Sequence, residues 1–76
     1  MTVKELIDKL SQLDPNLQIF INGYEGGYKD VKDISDIEEI ALNVHEFDWM
    51  GPHELVKNKY YVKDKSKYEI VKGIII

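Results

Sequence analysis

Two imidazoles and three carboxylates fall within ten residues in "HEFDWMGPHE": His45, Glu46, Asp48, His53 and Glu54. Side chains of these types hold divalent metals or exchange protons. Their spacing argues against the first use. An HExxH helix needs its histidines four apart on one face, whereas these stand eight apart with Gly51-Pro52 between them. In a strand, His45 and Glu46 would point to opposite faces. No metal site is therefore expected. Ser11, Ser35 and Ser66 lie in a helix end and polar turns without a neighbouring histidine in sequence, which removes a serine nucleophile. Carboxylates are plentiful, but abundance does not make a catalytic pair.

A second unusual stretch, "NGYEGGYKDV", crowds three glycines and two tyrosines into ten residues. Gly26 and Gly27 permit backbone conformations and close approaches closed to other residues, and Tyr24 and Tyr28 supply flat, amphipathic surfaces. No G-K-S/T follows, and Glu25 and Asp30 would repel a phosphate, so neither a P-loop nor a dinucleotide fingerprint is present. Two uses remain. The rings either pack on a sheet around a wide turn, or stack on a planar ligand together with Trp49, with His53 and Glu54 nearby. The candidate ligand-binding set is Tyr24, Gly26, Gly27, Tyr28, Trp49, His53 and Glu54, with no catalytic residue, metal or cofactor assigned.

These loops need a scaffold. "TVKELIDKLSQL" sets Val3, Leu6, Ile7, Leu10 and Leu13 on one helical face, and Thr2 with Glu5 fits a capping box, so a helix ends at the turn "LDPN". Its stripe reads as core. "LQIFIN" alternates as a strand, with Phe20 out of pattern. "IEEIALNVHE" gives a second strand, and "YEIVKGIII" reads as a central strand buried on both sides. "KYYVKDKSKY" suggests a hairpin arm turning near Asp64 to Ser66. The expectation is one α+β domain over residues 1–76, a single N-terminal helix packed on a three- to four-stranded, mostly antiparallel sheet.

Composition bounds the partners. The chain has 76 residues, no cysteine and a net charge of −4. That excludes a disulfide framework and thiol chemistry. All ten cations are lysine, so the guanidinium fork that reads guanine edges is missing and specific nucleic-acid recognition is not expected. Charge is two-ended. Met1–Glu54 carries four lysines against twelve carboxylates, and Leu55–Ile76 six against two. No run is long enough to span a bilayer and the N-terminus is not organised as a signal peptide, so a cytoplasmic protein without a membrane partner is expected.

The ordered motifs "TVKELIDKL", "GYEGGYKDV", "IALNVHE" and "GPHE" resemble a family of small uncharacterised bacterial and phage proteins over residues 2–54. The resemblance carries no established activity. It implies that both loops serve one site and that the gene belongs to a mobile element. The leading expectation is a non-catalytic binding protein, in a phage a sponge for a nucleotide-like small molecule, with its pocket completed in a homodimer or higher oligomer. A module that inhibits a host protein is the alternative, and a metal-assisted hydrolase using His53 and Glu54 ranks third.

Overall fold

Thr2 starts the first element as the sequence anticipates. Its hydroxyl accepts from the Glu5 amide at 3.1 Å, and the Glu5 carboxylate reaches back to the Thr2 amide at 3.4 Å. The capped segment is helix α1, Val3–Leu10. Ser11 closes it, and Asp14 then accepts the Asn16 amide through its side chain at 2.9 Å and the Leu17 amide through its carbonyl at 3.1 Å. That local bonding is the turn Pro15 demands.

The computed structural model describes all 76 residues, Met1–Ile76. The fold is α+β, one α-helix with five strands in two antiparallel sheets. The chain divides into two compact units, Met1–Lys32 and Asp33–Ile76. In the first, α1 is followed by a hairpin of β1, Phe20–Asn22, and β2, Tyr28–Asp30, with Phe20 opposite Asp30 and Asn22 opposite Tyr28. In the second, β3, Glu38–Ala41, lies between β4, Glu54–Leu55, and β5, Ile70–Gly73. No helix is long and apolar enough to cross a membrane.

Two expectations about strands are corrected. The C-terminal segment is an edge strand, and β3 holds the centre. Val71 and Ile75, read as a second buried face, are 38% and 47% exposed. Their apolar character made the segment look two-sided, but β5 ends at Gly73 and only its Ile70 face packs on the core. The stretch from Lys59 to Tyr68 is not a strand arm. The Asn58 side chain accepts the Tyr60 amide at 3.2 Å, and Asp64 accepts the Ser66 amide at 3.1 Å and caps a short 3-10 turn, Lys65–Lys67. Such local side-chain acceptors compete with a strand ladder for the same amides.

The core lies in the second unit. Ala41, Val56 and Val62 are buried, and Val44, Tyr68 and Ile70 pack against them. Ser35 and Ile75 exchange two hydrogen bonds, of 2.9 and 2.7 Å, which tie the end of the chain beside the start of this unit. Of the helix stripe read as core, only Leu6 is partly covered. Val3, Ile7, Leu10 and Leu13 are 39–59% exposed, and α1 has no buried residue.

Candidate functional site

The residues singled out from sequence fall into two sets, one per unit. Tyr24, Gly26, Gly27 and Tyr28 belong to Met1–Lys32, and Trp49, His53 and Glu54 to Asp33–Ile76.

In the first unit they form the tip of the β1–β2 hairpin. The Gly23 amide donates to the Gly27 carbonyl at 3.0 Å, closing a five-residue loop. Glu25, Gly26 and Gly27 all have positive φ, at 60°, 131° and 65°. A run of three such residues explains the glycine pair by backbone conformation alone, since φ near 131° is closed to a side chain. Around Gly26 and Gly27 a Cβ would meet nothing within 4 Å. The close approach occurs at Gly23, where a Cβ would stand 2.6 Å from the Gly26 carbonyl oxygen and 3.2 Å from that of Gly27. Gly23→Ala is accordingly expected to spring the loop, at a local cost of roughly 1–3 kcal/mol. Gly51→Ala, whose Cβ meets nothing within 4 Å, should change stability by no more than about 0.5 kcal/mol. Amide exchange at Gly23 and thermal melts of both variants check this contrast.

The loop holds its rings outward. Tyr24 is 91% exposed and Tyr28 78%. Tyr28 and Phe20 are diagonal neighbours on one face of the hairpin and line a shallow depression of about 500 Å³. Phe20 is a ring that loop-based reasoning left out. Its signal was the break in the alternation of "LQIFIN".

In the second unit the loop from His45 is closed by the Pro52 carbonyl, which accepts the Val44 and His45 amides at 2.7 and 3.0 Å. Between these ends Phe47 and Trp49 stack, centroids 4.6 Å apart and planes 15° from parallel, with Trp49 79% exposed. The two histidines have separate duties. His53 Nδ1 accepts the Asn43 amide at 3.1 Å, at the point where positive φ at Asn43 ends the β3 segment. Neutral His53 therefore carries its proton on Nε2. His45, not His53, pairs with Glu54, Nε2 to Oε1 at 3.0 Å. The other carboxylate oxygen accepts from the Leu55 amide and the Asn58 side chain, and the Tyr61 ring stands edge-on to the imidazole. This pair holds β4 to the loop before it. Its hydrogen-bond partners are the Leu55 amide and the Asn58 side chain, and no group of three or more His, Asp or Glu side chains is placed to hold a metal ion.

The hydrogen bond from His45 holds the Glu54 carboxyl below its ordinary value of 4.5; partial burial opposes this, and the Leu55 and Asn58 donors reinforce it. A carboxylate with a depressed pKa in the folded state contributes stability that is present above its unfolded pKa and lost as pH falls through the folded one. The melting temperature should therefore drop on acidification below about pH 4.5, and Glu54→Gln should flatten that drop. Asp64, also lowered by its Ser66 hydroxyl and amide, leaves a residual slope of the same sign. Melts from neutral pH to pH 3 on wild type and Glu54→Gln test the assignment; equal slopes would remove it.

No protein-family model, curated protein or solved structure matches the chain. What the fold and its side chains define is a small α+β protein with large aromatic rings displayed on two loops.

Proposed function

We propose that this chain is a non-catalytic protein-interaction module in which the exposed rings of each unit act as contacts for a basic partner protein. The observation carrying the reading is the outward placement of Tyr24, Tyr28 and Trp49, at 91%, 78% and 79% exposure. Rings this exposed contribute little to the free fold, whereas Tyr and Trp dominate binding energy once an interface closes over them. Small-molecule sites are concave and bury most of their ligand, whereas Tyr24 is 91% exposed. Charge supports a basic partner. Between Asp33 and Glu54 there are seven carboxylates and no lysine, and Trp49 stands next to Asp48 in that run.

A second reading keeps the nucleotide-like ligand, bound against the Phe20–Tyr28 depression with a pocket completed by another subunit; the about 500 Å³ beside those two rings supports it. Affinity capture from cell lysate at low and high salt, followed by native mass spectrometry, discriminates the two. The interaction module predicts a stoichiometric protein that dissociates at high salt. A retained small molecule of nucleotide mass with no protein partner would replace this reading with the second.

A further inference from the structure

We infer that the uncovered face of α1 and the segment after it is a twofold interface with a second copy of this chain. This surface is distinct from the exposed rings. Ile7, Leu10, Leu13, Leu17 and Ile19 line a continuous apolar groove of about 510 Å³, and Val3 extends it one turn toward the helix start. All six residues are 39–59% exposed. The unit they belong to, Met1–Lys32, has no buried residue at all. Segments shorter than about 40 residues rarely hold a fold without a metal, a disulfide or a partner subunit, and this chain has no cysteine.

Two features select a second copy as the occupant. The first is area. Six large apolar side chains exposed to this degree offer of the order of 600 Å² per copy, so their complete burial on pairing would remove about 1,200 Å² from water, which reaches the lower bound of a specific interface. The second is charge. Residues 1–32 carry four lysines against five carboxylates, so two copies meet with little net repulsion. On the helical wheel Lys4 borders the stripe in the first turn, and Asp14 lines the groove beyond the last turn. Antiparallel pairing brings Lys4 of each copy to Asp14 of the other and opposes the two helix dipoles.

In this arrangement Leu10 lies near the twofold axis and Asp8 on the opposite side of the helix. The full chain at tens of micromolar should sediment at twice its 8.9 kDa mass. Ile7→Glu should weaken the dimer at least ~100-fold by placing a carboxylate in each apolar groove. The absence of native cysteine makes a covalent readout clean. Leu10→Cys should form an intermolecular disulfide under mild oxidation, since symmetry brings its Cα atoms within the ~7 Å a disulfide allows, and Asp8→Cys should not. If Ile7→Glu fails to fold, the paired cysteine variants decide. A wild-type monomer, a dimer indifferent to Ile7→Glu, cross-linking through Asp8→Cys instead of Leu10→Cys, or a different protein held stoichiometrically in place of the second copy would each overturn the inference.

Discussion

Val62→Ala is expected to lower the melting temperature by roughly 10–20 °C. Val62 is 1% exposed and is the largest fully buried side chain. It packs with Ala41, at 0%, and Val56, at 5%. Removing two methyl groups from such a position forfeits about 1.5–3 kcal/mol, because the buried apolar surface is lost and a void remains. A domain of this length has only about 4–11 kcal/mol in total, and each kcal/mol is worth about 4–8 °C. The neighbouring Tyr60, 77% exposed, serves as the control. Tyr60→Ala should melt within a few degrees of wild type, so equal melting of the two variants would remove Val62 from the core.

Val62 also shows where sequence reasoning stopped. It sits in "KYYVKDKSKY", where lysines and tyrosines suggest a solvated hairpin arm. Periodicity over so short a stretch does not register one valine turned inward. Its inward placement follows from the local turn in which the Val62 amide donates to the Asn58 carbonyl at 2.9 Å. By contrast α1 was legible because its capping box and stripe are encoded within a dozen residues. The strands around Ile21, Ile40 and Ile70 were legible for the same reason. Their order was not, since whether β3 or β5 is central depends on pairings tens of residues apart. The helix stripe illustrates a different gap. An apolar face states that it needs a cover, and nothing in the pattern says whether the cover is the same chain or another.

The candidate site divides along the same line. Loop composition was enough to mark Tyr24, Tyr28 and Trp49 as unusual, because rings beside glycines are local features. The partner of Glu54 was not local. His53 is its neighbour in sequence, yet the Ala41–Glu54 register and the closure of the loop by Pro52 bring His45 to it instead. The glycine pair was noticed for the right reason, conformational freedom, but the close contact is at Gly23 and comes from the loop's own carbonyls.

The rings set the remaining large expectation. Tyr24→Ala and Trp49→Ala should each weaken partner binding by about 2–4 kcal/mol, some 30- to 1,000-fold, the range for aromatic hot spots. Neither should move the melting temperature by more than a few degrees. Deleting a buried aromatic would instead cost about 3–5 kcal/mol of stability, but these rings are 91% and 79% exposed. Trp49 has one entanglement, its stack on Phe47 at 4.6 Å. A stacked pair is worth about 0.5–1.5 kcal/mol when well packed. With Phe47 itself 56% exposed, the lower end applies, so Trp49→Ala should melt slightly below Tyr24→Ala. Trp49→Phe should recover part of the binding, because a flat ring stays over Phe47. Titration of the captured partner against the three variants, run beside thermal melts, separates the outcomes. Strong unfolding by both alanine variants would make the rings part of the fold. Full binding by both, with melts unchanged, would leave the loops without a role in recognition and end the interaction reading.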